Sequence, residues 1–130
     1  MARVLIVEDD PDICEVLQVL LSRSGHEASV AANGVTGLDA VTGKQPDVIL
    51  LDLAMPFMDG VRVLRILKAD RRFRTTPVIV ITASVDPERL QSAREAGAAD
   101  VIAKPWLDGQ IEAAVEKTLR AARRSPGATC

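Results

Sequence analysis

The chain has 130 residues, a formal net charge of -2 and a hydrophobic share of 48%, which supports one packed domain and leaves little room for a second. Its near-balanced charge excludes a polybasic nucleic-acid binder and an acidic disordered segment, and no apolar run approaches the ~20 residues that would span a bilayer. Arg3 and Glu8 break any signal-peptide core, and Cys14 and Cys130 lack metal or disulfide-framework spacing, so a reducing, cytoplasmic setting is expected.

The first apolar run is Val4, Leu5, Ile6 and Val7. It does not alternate with polar residues, which marks a strand buried on both faces of a parallel sheet. Ile13, Val16, Leu17, Leu20 and Leu21 then recur at helical spacing, with Cys14 as core packing, and Gly25 stops that helix. Residues 28–31 are the most polar run and read as an edge strand, with His26 at the surface beside it. Residues 36–42 predict a short helix closed by Gly43 and Pro46. Val48, Ile49, Leu50 and Leu51 predict a third, fully buried strand. Val61, Val63, Leu64 and Leu67 fall on one face of a third helix. Arg62, Arg65, Lys68, Arg71, Arg72 and Arg74 read as the solvated face of that helix and the turn after it; the alternative is a partner-docking patch. Residues 78–81 predict a fourth buried strand. Asp86 caps and Pro87 opens a fourth helix, which Gly97 ends. Val101, Ile102 and Ala103 predict a fifth strand, and residues 107–123 a fifth helix with Ile111, Ala114, Val115 and Leu119 on one face. Five βα units predict an α/β sandwich of three layers with helices on both faces of the sheet. Residues 1–123 make that one domain, and 124–130 read as a tail or the start of a linker.

In such sheets the ligand site lies beyond the carboxyl ends of the strands. Glu8, Asp9 and Asp10 follow the first run, Asp52 the third, Thr82 and Ala83 the fourth, and Lys104 and Pro105 the fifth. Glu8 and Asp9 come directly off the strand end, whereas Asp10 and Asp12 match the acidic charge pattern of a helix N-terminus. Clustered carboxylates repel one another unless a cation joins them. Oxygen-only ligands with room for water favour Mg²⁺. A metal, a lysine and a hydroxyl on one rim have the parts that stabilise phosphoryl transfer. A carboxylate on a rigid central strand, as expected of Asp52, can itself be the nucleophile and form an acyl phosphate.

The segment Asp52-Leu53-Ala54-Met55-Pro56-Phe57-Met58-Asp59-Gly60 resembles the phosphorylation loop of response-regulator receiver domains. The acidic cluster, Thr82-Ala83 and Lys104-Pro105 match that family in order and spacing, and the likeness covers about residues 3–122. It implies a flavodoxin-like five-stranded parallel sheet in the order 2-1-3-4-5. It implies that Asp52 accepts a phosphoryl group from a sensor histidine kinase or a histidine phosphotransfer protein, with Mg²⁺ as cofactor. Asp9, Asp52 and the Ala54 carbonyl would touch the metal, and Glu8 would act through water. Thr82 and Ala83 would meet the phosphoryl oxygens and Lys104 would pair with them. Pro105 and Gly60 would shape the site, with the Lys104–Pro105 bond cis. Phosphorylation would switch the face made by the fourth helix, fifth strand and fifth helix towards an output partner. Such a domain is a signalling module, assists only its own phosphorylation and dephosphorylation, and binds neither membrane nor nucleic acid directly.

Two positions depart from the family pattern. Val101 stands where the family often carries an aromatic ring, and Trp106 stands where it usually has Phe. A competing reading is a phosphohydrolase with an Asp nucleophile, of the haloacid-dehalogenase type, which carries a second Asp two residues on as general acid; Ala54 occupies that position here. A flavodoxin-type cofactor carrier would need a Ser-, Thr- and Gly-rich loop after the first strand, where Glu8, Asp9 and Asp10 would repel a phosphate.

Overall fold

A computed structural model describes residues 2–124. Five strands and five helices alternate along the chain. The strands are β1 (Arg3–Val7), β2 (Glu27–Ala31), β3 (Val48–Leu51), β4 (Val78–Thr82) and β5 (Asp100–Ala103). The helices are α1 (Pro11–Arg23), α2 (Gly34–Gly43), α3 (Gly60–Ala69), α4 (Pro87–Glu95) and α5 (Gln110–Arg124). The strands form one parallel sheet in the order β2-β1-β3-β4-β5. β2 therefore lies at an edge, as its polar sequence predicts.

The period-two alternation of each strand divides the core into two layers. Val4 and Ile6, Val48 and Leu50, and Ile79 and Ile81 face one side, where they pack with Cys14, Leu17 and Leu21 of α1 and Ile111, Val115 and Leu119 of α5. Leu5 and Val7, Ile49 and Leu51, and Val78 and Val80 face the other, against α2, α3 and α4. Every residue of β3 and β4 is buried, which is why these strands read as unbroken apolar runs. Fully burying one such Leu, Ile or Val side chain contributes roughly 1.5–3 kcal/mol.

Local chemistry fixes where the helices begin. The Asp10 side chain caps α1 by accepting the Asp12 N–H at 2.9 Å. Asn33 caps α2 in the same way, accepting the Thr36 N–H at 2.9 Å, so that helix starts two residues before the predicted 36. Helix α5 starts at Gln110, three residues after the predicted 107. Gly109 adopts a φ of 77° and the Gln110 side chain accepts the Leu107 N–H, so the apolar Leu107 lies in the turn before the helix. Helix α5 runs through Arg124, one residue into the expected tail; residues 125–130, with Cys130, lie outside the described residues. Among the described residues no helix is long and apolar enough to cross a membrane.

Two polar side chains differ from their sequence reading. His26, expected at the surface, is buried: its Nδ1 accepts the Ala2 N–H at 3.1 Å, and α5 covers it, with Glu116 Oε1 3.5 Å from Nε2. Lys68, expected on a solvated face, is half-buried and donates to the Arg74 and Thr76 carbonyls at 3.2 and 2.8 Å. Burial lowers its pKa.

Candidate functional site

The register of the sheet brings the strand ends to one rim. Val7 lies beside Leu51, Leu51 beside Val80, and Thr82 beside Ala103. The backbone ladder continues one residue past three of these strands. Glu8 N–H donates to the Ala31 carbonyl, Asp52 N–H to Val7 and Lys104 N–H to Thr82, each at 3.0 Å. Glu8, Asp52 and Lys104 thus leave the sheet from backbone that is already fixed, which holds their side chains over the central strands.

The three side chains meet. Lys104 Nζ forms a close ion pair with Glu8 Oε1 and lies 3.2 Å from Asp52 Oδ2. Asp52 is 7% exposed and Glu8 3%, so both carboxylates are largely removed from water. An apolar cavity lined by Ile6, Ile13, Leu17, Leu50 and Ile81 adjoins all three groups. Burial, reinforced by neighbouring Asp52 and opposed by Lys104, raises the Glu8 pKa to about 7. Burial pulls the Lys104 pKa down, but the hydrogen bond to Glu8 and the charge of Asp52 outweigh it and hold the ammonium above its ordinary value. Lys104 is therefore a fixed cation between two acids.

The remaining predicted residues fall around this core. Asp9 is exposed beside Glu8, whose Oε2 accepts the Asp9 N–H at 3.1 Å. Glu8, Asp9 and Asp52 each offer one carboxylate oxygen within 4.8 Å of the others. Asp10 is not in that group, because its carboxylate is turned onto the first turn of α1. Asp52 Oδ1 accepts the Ala54 N–H at 3.2 Å, which places Ala54 at the mouth of the acid cluster. Thr82 is buried and its Oγ1 accepts the Ser84 N–H at 3.1 Å, shaping the loop that carries the exposed Ala83. The Lys104–Pro105 peptide is cis. Trp106 packs on the α1–α5 side of the core and Val101 on the other.

Gly60 has a steric role. A Cβ there would lie 2.4 Å from the Asp52 carbonyl oxygen and 2.5 Å from Leu53 Cα. The first turn of α3 can approach the acid loop this closely because residue 60 has no side chain. Its N–H donates to the Leu53 carbonyl at 2.9 Å. Within the loop, Phe57 is 90% exposed with φ at 71°, a left-handed conformation uncommon for a non-glycine residue.

The contacts of two side chains escaped the sequence reading. Cys14 Sγ lies 3.4 Å from the Glu8 carbonyl, and burial followed by the nearby carboxylates raises the thiol pKa. Arg89, on the first turn of α4, donates through Nη2 to the Leu53 carbonyl at 2.7 Å and pairs with the Asp59 carboxylate. Nothing local in the sequence marks Arg89, since its partners lie thirty or more residues away.

The donor set fits a hard divalent cation. It is oxygen-only, carries three acids and keeps one of them open to solvent, which suits Mg²⁺ with its retained waters. Glu8, Asp9 and Asp52 are the residues that would hold it, and a bound ion would oppose the burial and the neighbouring Asp52 charge that raise the Glu8 pKa.

Comparison with known proteins agrees with this geometry. The response regulator receiver domain family matches residues 4–116. The DNA-binding response regulator MtrA of Mycolicibacterium smegmatis is 36% identical over 118 residues, which cover 91% of this chain and 50% of that protein. The chain thus spans about half the length of the mycobacterial relatives it matches. Sporulation initiation phosphotransferase F of Bacillus subtilis is 37% identical over 118 residues, covering 90% of this chain and 93% of that one. The crystal structure of the receiver domain of a signal transduction histidine kinase from Syntrophus aciditrophicus superposes with a TM-score of 0.89 at 34% identity, over 96% of this chain and 95% of that one.

Proposed function

The chain belongs to the response regulator receiver family, and from that premise we propose that Asp52 is its phospho-acceptor. Receiver domains are signalling domains, and response regulators receive phosphoryl groups from sensor kinases. The observation that carries the assignment is the setting of the Asp52 carboxylate. It stands at the end of a buried strand, 3.2 Å from Lys104 Nζ and 3.2 Å from the Ala54 N–H, within the cluster formed with Glu8 and Asp9.

In this reading a carboxylate oxygen of Asp52 attacks the phosphorus of a phosphohistidine on a sensor histidine kinase or phosphotransfer protein. The new O–P bond forms as the P–N bond breaks, and the imidazole nitrogen leaves with the bonding pair and takes up a proton. Asp9, Asp52 and the Ala54 carbonyl would hold Mg²⁺, with Glu8 acting through water. When bound, the ion supplies positive charge to the incoming phosphoryl oxygens, which the bare acids would repel. Lys104 moves from its carboxylate partners to a phosphoryl oxygen. Thr82 Oγ1 and the Ala83 N–H donate to the others, so the β4–α4 loop closes on the group and biases the α4, β5 and α5 face towards its output partner. The domain is not an enzyme acting on external substrates. Ala54 leaves no general acid two residues after Asp52, which disfavours a phosphohydrolase. We also propose that the receiver body ends within α5, that the residues from about 124 onward begin a tail or linker, and that the setting is cytoplasmic.

The test is intact-mass measurement after incubation with phosphoramidate and Mg²⁺. Wild-type protein is expected to gain one phosphoryl group and Asp52→Asn none. Full-yield phosphorylation of Asp52→Asn would reject the assignment.

A further inference from the structure

The peptide unit between Leu53 and Ala54 is held at both ends. Its N–H, from Ala54, donates to Asp52 Oδ1 at 3.2 Å. Its carbonyl, from Leu53, accepts both the Gly60 N–H at 2.9 Å and Arg89 Nη2 at 2.7 Å. A cation on α4 is thus joined to the Asp52 carboxylate through a single peptide plane. Charge on the carbonyl side polarises the amide and strengthens its N–H as a donor, so the two hydrogen bonds reinforce each other.

The second contact of Arg89 closes the same loop at its far end. Asp59 is the N-cap residue of α3, yet its side chain makes no capping hydrogen bond. Its carboxylate instead faces Arg89. One guanidinium therefore ties Leu53, at the start of the loop, to Asp59, at its end. This arrangement is retained although Arg89 Nε is buried without a hydrogen-bond partner among the described residues. The helix that carries Arg89 begins at Pro87, shortly after the 83–86 loop that follows Thr82. A displacement of that loop would carry the first turn of α4, and with it the guanidinium.

We propose that Arg89 is a positioning residue that couples the placement of α4 to the acceptor site through the Leu53–Ala54 peptide. The inference rests on the assignment of Asp52 as phospho-acceptor. With Arg89 in place, the Ala54 N–H is aimed at Asp52. Because coupling between sites is reciprocal, a partner that displaces α4 weakens this support, and a phosphoryl group on Asp52 changes where α4 rests. The path needs no side chain of β5, so it operates with valine at residue 101.

The experiment compares wild type, Arg89→Ala and Arg89→Lys as the full chain. Three quantities are read: amide exchange at Ala54 before phosphorylation, the phosphoramidate phosphorylation rate with Mg²⁺, and the exchange of residues 87–95 on adding beryllium fluoride with Mg²⁺. Arg89→Ala is expected to speed Ala54 exchange and slow phosphorylation, each by roughly tenfold for one charge-assisted hydrogen bond. It is also expected to lose the beryllium fluoride response of residues 87–95. Arg89→Lys, with a single ammonium in place of the guanidinium fork, should recover part of each. An Arg89→Ala variant that melts lower but keeps the wild-type phosphorylation rate and α4 response has lost a structural contact alone, and the inference fails. Wild-type protein that gains no phosphoryl group overturns the Asp52 assignment and the coupling together. Wild-type phosphorylation with an unchanged Arg89→Ala overturns the Arg89 inference alone.

Discussion

Replacing Gly60 with alanine places a methyl group 2.4 Å from the Asp52 carbonyl oxygen and 2.5 Å from Leu53 Cα. Ordinary contact begins near 3.4 Å, so the methyl falls about 1 Å short of the room it needs. Both obstructing atoms are backbone, and no flexible side chain can swing aside. Either α3 moves away from the acid loop or the loop moves away from Lys104. Overpacking of this kind costs about 1–3 kcal/mol. Weakening the Gly60 N–H bond to the Leu53 carbonyl adds about 1 kcal/mol. Together they lower the melting temperature by roughly 5–15 °C for a domain of this size. A displacement of about 1 Å at a reacting group also slows chemistry by on the order of a hundredfold, and that loss should appear in the phosphorylation rate with phosphoramidate and Mg²⁺. Two other glycines serve as controls, because a Cβ at either would meet open space. Gly43→Ala, with no left-handed φ, should leave stability unchanged or raise it by up to about 1 kcal/mol. Gly25→Ala, at a φ of 85°, should cost about 1–2 kcal/mol and leave phosphorylation intact. A Gly60→Ala protein that melts within about 1 °C of wild type (against ~2–8 °C per kcal/mol) and phosphorylates at the wild-type rate would refute the steric reasoning.

Three further outcomes follow from the acid cluster. Asp10→Ala should lose about 1 kcal/mol of stability with the α1 cap and keep its Mg²⁺ affinity by calorimetric titration, whereas Asp9→Ala should do the reverse; equal effects on Mg²⁺ would count against the separation of roles. The Glu8 pKa is raised from 4.5 to about 7 in the folded protein, so between those values the folded state binds more protons than the unfolded state, and stability falls as pH rises. Denaturation midpoints from pH 5 to 8 should show that slope as the difference between wild type and Glu8→Gln, and saturating Mg²⁺ should flatten it; a flat difference without Mg²⁺ would contradict the burial argument. Lys104→Ala should slow phosphorylation by about 10²–10³-fold, the scale for removing one preorganised charge partner, while binding Mg²⁺ more tightly because no ammonium competes for the Glu8 and Asp52 oxygens; weaker Mg²⁺ binding would show that Lys104 orders the acids rather than competing for them.

The sequence by itself determined the fold class and the membership of the rim. Unbroken apolar runs at β1, β3 and β4 mean burial on both faces, and an acid directly after such a run, as Glu8 and Asp52 are, has nowhere to stand but the sheet's carboxyl edge. Helix starts at Asp10 and Asp86 were legible because a cap acts within three residues. Tertiary structure decided whatever depended on partners distant along the chain. His26 lies under α5 and bonds to Ala2, a burial that no neighbour in sequence announces. Lys68 turns inward to carbonyls that its own helix does not supply. The charge state of Glu8 follows from its distances to Asp52 and Lys104 and from the apolar side chains around it, quantities fixed when the five strand ends come into register. Arg89 reads in sequence as one more charge on a polar helix. It becomes a clamp on the acid loop only because α4 docks beside α3, thirty residues and one strand away from Asp59. Periodicity and capping are short-range physics and can be read along the chain, whereas pairing between charges on different elements is set by packing.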